Sequence, residues 1–148
     1  MISSLQYLFA FNDSALEINM EGISHDDTLI NAPNGGNNIN WLLGHIIVSR
    51  DLVFQALETD CMSDASITKK YDRGTSSVPK SDAISLDELH RMHKATSRAI
   101  KENLLAFDPE KLTDQKREML LFLALHEVYH IGQIGLMRRI IGKQGAIR

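Results

Sequence analysis

Apolar positions along the chain fall into four long segments with helical spacing, separated by polar connectors rich in breakers. From Ile2 to about Met20, the residues Ile2, Leu5, Phe9 and Leu16 recur at three or four positions or their multiples, and Leu8, Ala15 and Ile18 widen the stripe. That spacing predicts an amphipathic helix. Ser24-His25-Asp26-Asp27 and Pro33-Asn34-Gly35-Gly36-Asn37-Asn38 then form a connector that neither helix nor strand favours, with Asn37 or Asn38 suited to cap the next helix. That second helix is expected from Ile39 to about Leu57. It is apolar over more than one face, as befits a central helix or one buried again in an oligomer. Trp41, Leu42, His45, Val48 and Leu52 share one of its stripes, which points His45 inward.

Residues 59–85 read as a long irregular connection, broken around Tyr71-Asp72-Arg73-Gly74 and at Pro79. That length suits a crossover that lets the second and third long helices run in a similar direction. Ser85-Leu86-Asp87-Glu88 has the form of a capping box, after which Leu86, Leu89, His93, Ile100 and Leu104 carry a third helix to Phe107, where Asp108-Pro109 stops it. Thr113 or Asp114 caps a fourth helix reaching Ile141, with Gly142 at its C-terminal turn. No stretch alternates with a strand's period of two. The expected fold class is all-α: one domain over residues 1–148, a four-helix bundle with a long crossover between helices two and three.

Composition narrows the partners. The 148 residues are 43% hydrophobic and 24% charged, with a formal net charge of −3, which gives no reason to expect nucleic acid. Arg138, Arg139, Lys143 and Arg148 cluster at the end of the last helix, where cations complement the helix dipole. The single cysteine, Cys61, excludes an intrachain disulfide and reads as an inert thiol. The N-terminus lacks a basic signal-peptide region and no apolar run approaches a membrane-spanning length, so a cytoplasmic protein without a membrane partner is expected.

The densest chemistry is His126-Glu127-Val128-Tyr129-His130, with Ile131-Gly132-Gln133 directly behind it. Histidines four apart on a helix lie one turn above each other, with Cβ atoms roughly 5–6 Å apart, so both imidazoles can reach one ion. The stripe Met119, Leu123, His126, His130, Gln133, Met137, Ile140 puts both on the core-facing side. Spacing alone leaves two readings level: a metal-binding pair, or two core histidines each satisfied by a hydrogen bond. These residues also spell the H-E-x-x-H signature of zinc proteases, but its extended forms fail. Gln133 stands where one form needs Gly, and no Asp or Glu occurs after Glu127. A third ligand must come from upstream. His25 lies in a polar connector, His93 falls on an apolar stripe with His90 on its shoulder, and His45 has the best inward register. Glu127 and Tyr129 point about 100° off the metal face, and structural roles are expected for Glu127 and Arg50. Gly132 and Gly135 suit close packing or ligand access.

Asn40-Trp41-Leu42-Leu43-Gly44-His45-Ile46, with Arg50 a turn on, and His126 through Ile134, with Arg138-Arg139 and Gly142 behind, resemble the two signature segments of the DinB/YfiT-like superfamily of metalloenzymes. The match runs end to end in helix order. The resemblance implies a bundle that is often dimeric and a divalent ion, commonly zinc or nickel, held by His45, His126 and His130. Imidazole ligands also suit iron or copper, and manganese is a further option. It implies a small-molecule substrate, with a low-molecular-weight thiol in the S-transferases of the family and hydrolysis in other members. An ion held by three neutral histidines keeps open positions and can lower the pKa of bound water toward ~7 or hold a thiolate, and that water is the one catalytic base expected. The alternative is a non-catalytic metal-binding or stress-associated module whose triad is structural or vestigial.

Overall fold

The computed structural model describes residues 1–33 and 35–146. Asn34 of the first connector and Arg148 of the cationic cluster lie outside the described residues. The chain is all-helical, with no strand among the described residues. In order come α1 (Ile2–Met20), α2 (His25–Thr28), α3 (Ile39–Ala56), α4 (Ala65–Tyr71), α5 (Leu86–Ala106), a 3-10 turn (Pro109–Lys111) and α6 (Asp114–Ile140). Three of the four long helices start where their caps predict. Asn38 Oδ1 accepts from the Trp41 amide, Ser85 Oγ from Glu88 and Thr113 Oγ1 from Lys116. The expected box at Ser85 is only half made, because Glu88 pairs with Arg91 instead of turning back. A complete box forms at Ser24 and Asp27, at the head of α2.

Each long helix packs against two others: α1 and α3 both lie on α5 and α6. Their buried side chains separate into two apolar clusters. One holds Leu5 and Phe9 of α1, Val53 and Phe54 of α3, Ile100 and Leu104 of α5, and Leu120 and Leu123 of α6. The other holds Leu16 and Met20, Leu42 and Ile46, Leu86 and Leu89, and Ile131 and Ile134. Between them lies a polar layer with Asn12, Arg50, Thr96 and Glu127, one residue from each helix. From the first cluster to the second, numbering rises along α1 and α6 and falls along α3 and α5. All ten residues from Ile39 to Val48 are buried, which makes α3 the central helix.

The connection after α3 is less irregular than its breakers suggest. It contains α4, whose last residue, Tyr71, is fully buried on α3. Its ring sits where Gly44 has no side chain, and a Cβ there would overlap it. The Tyr71 hydroxyl donates to Asn40 Oδ1 at 2.9 Å, and Trp41 Nε1 donates to Thr75 Oγ1 at 2.8 Å. This strap brings backbone carbonyls and polar residues beside the N-terminal half of α3.

Two expectations about facing are corrected. On α6, Met119 and Ile140 are exposed, and the buried arc runs through Leu120, Ala124, Glu127, Ile131 and Ile134. Contact with both α1 and α3 centres that arc on Glu127, so the histidines fall on its shoulder. Leu52 of α3 is likewise exposed rather than inward. By length and composition alone, α6 is apolar enough to cross a membrane, contrary to the expectation that no segment reaches that limit. Here it packs against α1 and α3 and carries a buried carboxylate.

Candidate metal centre

Helix α3 presents His45 to His126 and His130 of α6. The ring centroids lie 5.2 Å (His45–His126), 4.8 Å (His45–His130) and 4.4 Å (His126–His130) apart. One nitrogen from each ring falls within 4.8 Å of the other two, the one such grouping of His, Cys, Asp or Glu among the described residues. Metal–nitrogen bonds of about 2.0–2.1 Å hold nitrogens no more than about 4.2 Å apart, so small side-chain rotations would close the set on one ion.

Hydrogen bonds orient two of the rings. His45 Nδ1 donates to the Tyr71 carbonyl at 2.7 Å, and the ring stacks on Trp41 at 4.6 Å. His130 Nδ1 donates to Gln133 Oε1 at 2.7 Å, while Gln133 Nε2 donates to the Tyr129 hydroxyl at 3.3 Å. Both partners accept, so the proton sits on Nδ1 and each Nε2 keeps its lone pair for the centre. The third ring is satisfied only in part. His126 Nδ1 is buried without a partner, and its Nε2 lies 3.0 Å from that of His130, two nitrogens that cannot both present lone pairs to each other.

The rings are also held neutral. Burial lowers the pKa of His45, and burial together with His45 and Arg73 lowers that of His126. His130 is pushed down to about 4, chiefly by burial and then by His126 and His45, against the opposing pull of Gln133. Three neutral imidazoles whose ring nitrogens converge, two of them with Nε2 lone pairs already fixed, fit a divalent cation. A cavity of about 680 Å³ opens onto them, walled by Trp41, Val48, Phe122 and Tyr129, with Thr68, Arg73 and Cys61 among its polar groups.

The other candidates go elsewhere. His25 is half-buried, and its Nδ1 accepts from the Leu86 amide at 3.3 Å. His90 is half-buried and His93 fully buried, and neither joins the triad. Arg50 and Glu127 form a buried pair, with Arg50 Nε 2.7 Å from Glu127 Oε1. Gly135 lies against Asn19, while Gly132 faces open space. Sequence reasoning missed the Tyr71 carbonyl, which no side-chain motif can signal, and read Cys61 as an inert thiol without relating it to the site. The thiol lines the cavity.

These features define an all-helical protein with a three-histidine cluster shared by two facing helices. The chain belongs to the DinB superfamily, whose sequence pattern matches residues 9–134 and so spans all three histidines. No curated protein matches the chain.

Proposed function

We propose that the protein is a divalent-metal enzyme in which His45, His126 and His130 hold the ion and the adjoining cavity receives a small molecule. The observation that carries this reading is the convergence of one nitrogen from each of three rings within 4.8 Å, where His45 and His130 each keep an Nε2 lone pair fixed by Tyr71 and Gln133. A buried polar cluster that the protein leaves unsatisfied is one that a ligand completes. A divalent ion there supplies Lewis acidity to a thiol or a water molecule brought beside it. Trp41, Phe122 and Tyr129 give apolar walls to orient a substrate, and Thr68 and Arg73 give it polar partners. The proposed reactions are thiol-dependent S-transfer or hydrolysis, in the cytoplasm. The rise and fall of numbering through the two core clusters supports a four-helix bundle with its crossover between α3 and α5. Phe122, Leu125, Tyr129 and Leu136 form an exposed, uncharged stripe on α6, and two of them also wall the cavity. That continuity supports a homodimer in which a second copy covers the stripe.

Elemental analysis by inductively coupled plasma mass spectrometry on untagged protein, wild type beside His45→Ala, tests the reading. The expected result is one ion per chain, lost in the variant. Absence of metal in the wild type even after reconstitution would overturn it. With the ion identified, transfer of a low-molecular-weight thiol to an electrophile and hydrolysis of small amides and esters are the activities to assay.

A further inference from the structure

A second cleft, of about 570 Å³, opens between α1 and α5 and shares no lining residue with the triad cavity. Phe9, Ile100 and Leu104 give it apolar walls, and Asp13 and Ser97 bring a carboxylate and a hydroxyl into it. Asp13 Oδ1 accepts from Arg50 Nη2 at 2.7 Å and from Ser97 Oγ at 2.8 Å. Its Oδ2 has no partner among the described residues. The same Arg50 guanidinium also serves Glu127 through Nε and Nη2, so one cation faces two carboxylates. His93, with Nε2 3.4 Å from Asp13 Oδ1, does not supply a second cation, because burial and Arg50 hold its pKa well below the ordinary value. The network therefore carries one formal negative charge in excess. The Asp13 side chain is 28% exposed, against 1% for Arg50 and 2% for Glu127, so that charge meets the outside at the cleft.

We infer that this cleft binds a primary amine with an apolar tail, its ammonium on Asp13 and its hydrocarbon along Phe9, Ile100 and Leu104. A lone carboxylate among apolar walls does not make a metal site, since hard cations take six or more oxygen ligands. An alkylammonium needs only one charge-assisted acceptor and buries its chain against the walls. Of the rim cations, Arg98 is paired with Glu102 and Lys101 is exposed to solvent, where its repulsion is screened.

The test is a titration of the full-length, nitrogen-15-labelled protein with hexylammonium, hexanol and hexanoate, monitored by amide shifts. Hexylammonium should give saturable shifts around Asp13 and Ser97 and bind about tenfold or more tightly than hexanol, the worth of a hydrogen bond to a charged group. Asp13→Asn should erase that preference. Should Asp13→Asn fail to fold, Ala10→Trp, an exposed position on the cleft wall, should block binding while leaving the network intact. No saturable shift with hexylammonium, equal binding of hexanol, or undiminished binding in Ala10→Trp would each overturn the inference. So would shifts at the cleft that track protein concentration alone, the mark of a second copy. None of these outcomes depends on the metal.

Discussion

His126 and Glu127 are neighbours in sequence, and α6 turns them into opposite kinds of polar site. Glu127 enters the middle of the core and meets a complete set of partners. Arg50 reaches it with Nε at 2.7 Å and Nη2 at 3.2 Å, and the remaining guanidinium donors go to Asp13, Thr96, Ser97 and the His93 carbonyl. His126 enters the cavity and meets no protein partner at Nδ1 and a competing nitrogen at Nε2. A buried network whose ionised groups are all hydrogen-bonded fixes which helices pack and in what register, even with Asn12 Oδ1 beside it left without a partner. An unsatisfied one marks a place for a ligand. The two types predict different responses to mutation, metal and pH.

The largest effect should come from the satisfied side. Arg50→Met leaves Glu127 buried without its cation, and single removals of this kind cost about 3–5 kcal/mol. The urea midpoint should fall accordingly, whereas Arg50→Met combined with Glu127→Leu should recover much of the loss, since an apolar pair of similar volume replaces the ions. If the double variant is as unstable as the single one, the network contributes more than charge compensation. Next comes the metal. An ion at a hundred times its dissociation constant should stabilise the wild type by about 2.7 kcal/mol, read as a rise in Tm, and should leave His126→Ala unmoved. A similar rise in His126→Ala would place the ion elsewhere.

How much of this contrast was legible in the sequence depends on the kind of signal each part leaves. Helical spacing and short polar caps are local, so Asn37 or Asn38, Ser85, and Thr113 or Asp114 marked the starts of α3, α5 and α6 to within a residue. The i, i+4 histidines and the inward register of His45 are also local patterns, and they led to the triad. Facing was harder. A stripe drawn through apolar residues treats Glu127 as a gap, yet Glu127 is 2% exposed because Arg50, 77 positions away, offsets its charge. Helix α4 escaped because its seven residues hold only Ile67 and Tyr71 as large apolar side chains, too few for a period. Its place is set by long-range fit of Tyr71 on Gly44, which no window of sequence contains.

That fit gives the next prediction. Gly44→Ala drives a methyl into the Tyr71 ring, and overpacking of a tight core costs about 1–3 kcal/mol. Because the Tyr71 carbonyl orients His45, apparent metal affinity should fall with Tm, which separates this variant from an ordinary core defect. Gln133→Ala should do the reverse. It removes the acceptor from His130 Nδ1 on a half-buried stretch of α6, so metal-free stability should hold. Affinity in a chelator competition should drop by about tenfold, the lower end of what losing such a partner costs. A matching loss of stability would move Gln133 to the structural side of the comparison.

The smallest effect concerns His93, the one histidine of the satisfied network. Burial first, then Arg50, His90 and Lys94, lower its pKa well below the ordinary value. The folded protein therefore keeps His93 neutral at a pH where the unfolded chain, with a pKa near 6.5, takes up a proton. The unfolded state then binds more protons, so stability falls as pH drops below about 6.5 and is fully kept above it. One proton is worth at most about 1.4 kcal/mol per pH unit, and less than about 1 kcal/mol over the first half unit. The triad histidines depart in the same direction, so the metal-free wild type should show an acid limb steeper than one proton accounts for. His93→Leu should flatten that limb by up to one proton's worth in urea midpoints taken between pH 6.5 and 5, with or without metal. Saturating metal should leave the His93 share untouched, since that histidine lies outside the triad. An acid limb unchanged in His93→Leu would show that this histidine titrates alike in the folded and unfolded chain, and that the buried network carries no charge cost of its own.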